Sequence, residues 1–279
     1  MTISIPTPLG RTTRGRFART GFFAPIEPDQ SRRTIMHYDL LFRLTERLTM
    51  TSNLDGHTTE DRSMVIEVEI PPFGLPGDLR LASKPRGVIV FAHGSGSSRY
   101  SPRSVYVAEA LGRQGFATLL FDLLGEREAE NRSNVFDISL LTRRLVGACK
   151  WALATRETQE LPMGLFGAST GAAAALEAAA ELGRQVSAVV SRGGRPDLAG
   201  AVLKEVRTPT LLIVGGRDYD VLDLNEAALA MLAGPKSLQV VPDATHLFSE
   251  PGALDAVIAA AADWFGTYCR QPENEQEGR

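Results

Sequence analysis

Cysteine is nearly absent: Cys149 and Cys269 are the only two in a chain of 279 residues. They stand far apart in helix-like surroundings. That fits buried thiols, not a disulfide framework or a metal-ligand spacing. Such usage suits a reducing compartment, so the expected location is cytoplasmic. No apolar run approaches the ~20 residues of a membrane-spanning helix. Neither charge dominates, since 30 Lys and Arg against 33 Asp and Glu give a net charge of -3. The clustered basic surface that nucleic acid requires is missing. Histidine is limited to four residues, His37, His57, His93 and His246, so any imidazole chemistry must draw on these. A small-molecule substrate is the partner class these features leave open. They do not define an oligomeric state.

A chain of this length can bury roughly three quarters of its unfolded surface, enough for a full core. The first 35 residues stand apart from that core. They carry Arg11, Arg14, Arg16, Arg19, Arg32 and Arg33 but only Glu27 and Asp29 as acids, with repeated prolines. No apolar stretch of a secretory leader occurs in them, and the prolines oppose an amphipathic transit helix. The expected organisation is an N-terminal extension over 1–60, partly disordered, with a short helix at about 36–50. A domain over 61–270 follows, then a polar tail over 271–279. The helix rests on Met36, Leu40, Leu41, Leu44 and Leu48 at helical spacing.

Order in the pattern begins after Ser63. MVIEVEI and GDLRLA alternate around Pro71 and Pro72, as an antiparallel pair at a sheet edge would. GVIVFAH is a continuous apolar run, the mark of a parallel strand buried on both faces. A helix is expected from Ser104 to Gln114, then the strand GFATLLFDL, a helix from Asp137 to Thr155, the strand LPMGLFGA and a helix from Thr170 to Leu182. VSAVVS, TPTLLIVGG and SLQVVPDA follow as strands, and Gly252 to Tyr268 closes as a helix. Strand–helix alternation of this kind predicts an α/β fold: a mostly parallel eight-stranded sheet with helices on both faces. The short interval between Ser191 and Thr210 leaves no room for a large cap domain.

Chemistry concentrates in Gly167-Ala168-Ser169-Thr170-Gly171. The pattern G-x-S-x-G arises by chance on the order of 0.1 times in a chain this long, so alone it says little. Its context is informative. An exposed nucleophile needs a strand, a sharp turn and a helix, and this copy sits at such a junction. The bland alternative is a tight turn with Ser169 as a helix cap. Partners must follow in the order Ser, Asp or Glu, His. Asp218 follows TPTLLIVGG, and His246 follows SLQVVPDA as the one histidine downstream of both. Strand carboxyl ends share one edge of a parallel sheet, so Ser169, Asp218 and His246 gather there. Asp220 and Asp223 compete for the acid role, but Asp218 lies nearest the strand end; Asp243 reads as a loop residue. His246 would take the serine proton, and Asp218 would fix the imidazole tautomer and stabilise its cation. The oxyanion donors expected are the backbone N–H groups of Thr170 and of Ser95, in the loop after GVIVFAH. Gly94-Ser95-Gly96 is also half a dinucleotide fingerprint, but its third glycine is replaced by Arg99 and no Walker lysine follows.

These stretches together resemble the α/β-hydrolase superfamily. Within it they are most similar to the capless dienelactone hydrolase-like group. The likeness runs over about residues 65–268, through VIVFAHGSGSSRYSPR, LLFDLLGERE, GLFGASTGAAAAL, VVSRGGRPDLAG, TLLIVGGRDYDVLDLN and VVPDATHLFSEPGAL. True dienelactone hydrolases use a cysteine nucleophile where Ser169 stands. The resemblance therefore implies an esterase-like serine hydrolase acting on a carboxylic ester or thioester, with no metal or organic cofactor. Similar domains occur fused to phosphoribosyltransferase domains, and no such second domain is expected in this sequence. Acyl transfer on the same triad, and a non-catalytic ligand-binding sensor, are the alternatives. Arg99, Arg192 and Arg195, with Arg103 nearby, are candidates for an anionic substrate group. The competing expectation pairs them with local acids such as Asp197 and Glu126.

Overall fold

The computed structural model describes residues 64–270. The expected extension over 1–60, its helix at 36–50 and the tail over 271–279 lie outside the described residues. β1 (Met64–Ile70) and β2 (Leu75–Leu81) form the expected antiparallel pair. β3 (Val88–Ala92), β4 (Ala117–Phe121), β5 (Met163–Ala168), β6 (Val186–Arg192), β7 (Thr210–Gly215) and β8 (Lys236–Val241) complete one eight-stranded sheet. Its order is β1-β2-β4-β3-β5-β6-β7-β8. β2 pairs antiparallel with β4, and every pairing from β4 through to β8 is parallel.

Helices cover both faces. α1 (Pro102–Arg113) and α7 (Ala253–Tyr268) pack on one, while α4 (Ile138–Ala154) and α5 (Thr170–Leu182) pack on the other. The pleat sorts the strand side chains between them. Val88, Val90 and Ala92 of β3 enter the α4–α5 core, whereas Ile89 and Phe91 enter the α1–α7 core. This two-sided burial explains why β3, β4, β5 and β7 are apolar at almost every position, while β1 alternates at the exposed edge.

Five elements have no counterpart in the sequence reading, one of them the 3₁₀ turn Gly183–Gln185 after α5. α2 (Glu126–Glu130) and α3 (Arg132–Val135) are short turns after β4, and a 3₁₀ segment, Pro196–Glu205, follows β6. α6 (Tyr219–Met231) bridges the parallel strands β7 and β8. It fully buries only Asn225 and Ala228, so it shows no apolar stripe. Among the described residues the connections carry no inserted cap domain, and no helix is long and apolar enough to cross a membrane. Cys149 and Cys269 are free and buried, and burial pushes both thiols up to about 12.

Strand order reverses at β3, whose neighbours β4 and β5 are reached by α1 on one face and α4 on the other. A crevice opens at the carboxyl ends of strands at such a switch point. The loops after β3 and β5 therefore meet there.

Gly164 of β5 shows how tightly α7 lies on the sheet. A Cβ there would sit 2.6 Å from the Phe265 ring and 2.8 Å from Ile89. Gly164→Ala is expected to lower unfolding stability by about 1–3 kcal/mol, the usual cost of overpacking, as read by urea titration.

Candidate active site

β5 ends at Ala168 and α5 begins at Thr170, leaving one residue for the turn. Ser169 takes φ 51 and ψ -122, a conformation that a side chain makes costly. The glycines beside it permit the turn by their lack of bulk. A Cβ on Gly167 would lie 2.5 Å from Ala172 Cα, and one on Gly171 would collide with the Ala92 and His93 carbonyls. α5 can then press its start against β3 and β5. The alanines behind it, Ala172 to Ala175, are fully buried, in keeping with a helix lying close on the sheet. Ser169 is the N-cap residue of α5 but makes no side-chain cap hydrogen bond to it.

Asp218 is the N-cap residue of α6, at the carboxyl end of β7, and its backbone N–H donates to Gly215 O at 3.0 Å. His246 lies in the loop after β8. Its Nδ1 stands 2.7 Å from Asp218 Oδ2. Asp220 and Asp223 sit on α6, exposed. Asp243 has φ 59 and pairs with Arg217 at 2.9 Å, as a loop residue would. The His246 loop is held from behind by Glu250, which accepts from Thr245 N–H at 3.1 Å and Thr245 Oγ1 at 2.7 Å. Gly193 joins the histidine to the serine. A Cβ there would lie 3.1 Å from His246 O and 3.6 Å from its Nδ1, and the adjacent Arg192 carbonyl accepts from Ser169 N–H at 3.4 Å. Asn225 Nδ2 donates to Gly194 O at 3.0 Å and steadies this segment. Asn225 and Glu250 were not singled out from sequence, since nothing local marks them.

The loop after β3 packs on the serine from the other side. A Cβ on Gly94 would lie 2.9 Å from Ser169 Cβ. Ser97 N–H donates to Gly94 O at 3.2 Å across a turn with Gly96 at φ 68. His93 adds a second constraint. Leu123 N–H donates to His93 Nε2 at 3.1 Å, so the ring proton is on Nδ1, which donates to Gly94 O at 3.0 Å. With that carbonyl held twice, the planar trans peptide turns Ser95 N–H to the opposite side. Burial holds the His93 imidazole below its ordinary value.

The arginines divide. Arg195 makes a bidentate pair with Asp197 at 2.8 and 2.7 Å, as its competing expectation held. Arg99 is bound by Asp122, with Asp78 3.6 Å from its Nε and Tyr100 beneath it. Its acid is thus Asp122 rather than Glu126, because Asp122 directly follows β4, whose parallel neighbour β3 leads into the Arg99 loop. Both are committed to loop structure. Arg192 has no acidic partner among the described residues. No group of three His, Cys, Asp or Glu among the described residues is placed to hold a metal.

The strand order is that of an α/β-hydrolase. A family model described as serine aminopeptidase, S33, matches residues 83–194. A solved dienelactone hydrolase from Anabaena variabilis is 52% identical, covering 75% of this chain and 99% of its own, with a TM-score of 0.72. This chain belongs to the α/β-hydrolase superfamily, in its dienelactone hydrolase-like group. Two Mycobacterium tuberculosis proteins, provisionally named phosphoribosyl transferases, are 57% identical over 204 residues, 73% of this chain and 46% of theirs. The chain thus spans about half the length of these curated relatives. An esterase domain from Rhodothermus marinus, 24% identical with a TM-score of 0.59 over 75% of this chain and 100% of its own, shares the fold.

Two outcomes follow from this geometry. Ser169→Gly should be more stable than Ser169→Ala by about 1 kcal/mol in urea unfolding, because glycine removes the positive-φ strain. His93 binds a proton more readily unfolded than folded, so its contribution to stability is lost as pH falls below about 6.5. Unfolding free energy of wild type should fall more steeply from pH 7 to pH 5 than that of His93→Gln.

Proposed function

We propose that the protein is a serine hydrolase that cleaves a carboxylic ester or thioester through an acyl-enzyme. The observation that carries this reading is the 2.7 Å contact between His246 Nδ1 and Asp218 Oδ2, on a loop packed against the segment that also meets Ser169. Asp218 occupies Nδ1, which leaves Nε2 to accept the Ser169 proton as Oγ attacks the carbonyl carbon. The oxyanion is held by Thr170 N–H, at the start of α5, and by Ser95 N–H. Thr170 N–H is among the helix-start donors that have no partner within the helix. His246 then returns the proton to the leaving alcohol or thiol. A water activated by the same Nε2 releases the acid and restores Ser169. The His246 side chain is 39% exposed, which favours water as the acceptor over a shielded acyl acceptor.

The hydrolase names of the Anabaena and Rhodothermus proteins support this reading. The transferase name of the Mycobacterium relatives describes longer proteins of which this chain spans 46%.

A fluorophosphonate probe should label wild type and leave Ser169→Ala unlabelled. On p-nitrophenyl esters, wild type should give an acyl burst, and Asp218→Asn should lower kcat by about 10³- to 10⁴-fold. Equal labelling of wild type and Ser169→Ala would overturn the assignment of the nucleophile.

A further inference from the structure

Ser95 lies in the loop from His93 to Ser101, between β3 and α1. Within this loop Ser97 N–H donates to Gly94 O, and Ser101 N–H donates to Ser98 O. From Ser95 to Ser101, a single residue makes hydrogen bonds beyond the loop and α1, among the described residues. That residue is Arg99. Its backbone N–H donates to Asp122 Oδ1 at 2.8 Å, and its Nη1 donates to Asp122 Oδ2. Both carboxylate oxygens are thus spent on one loop residue, four positions past Ser95. Asp122 follows β4, and its backbone N–H donates to Pro76 O of β2 at 3.0 Å. Two residues further along β2 stands Asp78, buried, with Oδ1 3.6 Å from Arg99 Nε. Arg99 Nε is shielded from solvent and has no hydrogen-bond partner among the described residues, so Asp78 supplies the opposite charge on that side.

Four charges act on Asp78: Arg99 from the loop, Arg80 on its own strand at 4.0 Å, Glu67 across the β1 pairing and Asp122 after β4. Burial pushes its carboxyl up, and the two cations offset this only in part. A carboxyl raised in the fold ionises less readily there than in the unfolded chain, so at neutral pH its charge counts against folding. A buried charge of this kind is a poor source of stability, which leaves geometry as what it can supply.

We propose that Asp78, Arg99 and Asp122 are positioning residues of the oxyanion hole. The edge strand β2 sets where Ser95 N–H stands, and Asp78 governs turnover without touching the substrate. The effect on turnover rests on the hydrolase reading; the hold on the loop does not. A group displaced by about 1 Å can lose about 10²-fold in rate. The loss falls on the transition state, because the negative charge on the carbonyl oxygen develops only there.

The test compares wild type with Asp78→Asn and Arg99→Lys by hydrogen–deuterium exchange, thermal melting and kinetics on p-nitrophenyl butyrate. Asp78→Asn removes the charge behind Arg99, and Arg99→Lys keeps a charge but loses the fork. In both, the bonded amides of Ser97, Arg99 and Ser101 should exchange about tenfold or more faster than in wild type, with those of β3 and β4 unchanged. kcat should fall about tenfold or more while KM stays within about twofold, the pattern of an interaction made only in the transition state. Asp78→Asn should melt no lower than wild type, since it removes a charge that counts against folding, and this separates a displaced loop from a lost fold. Arg99→Lys carries the same test should Asp78→Asn not fold. Faster loop exchange with kcat unchanged, or lower kcat with loop exchange unchanged, overturns the proposal. Faster loop exchange in the variants with no ester turnover by wild type upholds the hold on the loop and removes the hydrolase reading instead.

Discussion

The start of α5 comes so close to β3 and β5 that only hydrogen atoms fit at Gly167 and Gly171. Other features of the candidate site follow from that approach. Only one residue separates strand from helix, and the chain can reverse direction there only at positive φ. The residue in that position is Ser169, which makes no side-chain cap bond to the helix and stands at the sheet edge. Gly94 is then drawn against the serine side chain, and the loop that carries it takes its place beside the helix start. The strain at Ser169 is sustained because α5 is packed on the sheet beside α4 in one buried core.

Around this turn, the supporting contacts come from distant parts of the chain. His93 ties the loop after β3 to the loop after β4 through Leu123. Asn225 ties α6 to Gly194, and Glu250 closes the loop that carries His246. Each fixes a backbone carbonyl or N–H rather than a reacting group. Preorganisation of this kind matters because a catalytic dipole that must reorient during reaction loses much of its value.

Charge at the same edge is distributed unevenly. Arg99, Arg195 and Arg217 are each matched with an aspartate and serve to fasten loops. Arg192 and Arg103 are unmatched among the described residues. Position in the sequence does not separate these two groups, since Arg192 and Arg195 lie three residues apart. The distinction is made by Asp197, which folds back to Arg195 through the 3₁₀ turn and cannot also reach the far side of β6.

Much of this protein was legible in its sequence. The apolar runs of β3, β4, β5 and β7 betray burial on both faces, and strand carboxyl ends sharing one edge bring Ser169, Asp218 and His246 to it. Local chemistry suffices there, because side-chain period and turn residues depend on near neighbours. α6 was not legible: a helix that fully buries only Asn225 and Ala228 leaves no periodic trace. Nor could composition distinguish which arginines would find acids, or reveal that His93, Asn225 and Glu250 brace the loops. Those roles depend on which residues meet across the crevice where strand order reverses at β3. That meeting is set by the packing of the whole sheet, and no stretch of sequence encodes it alone.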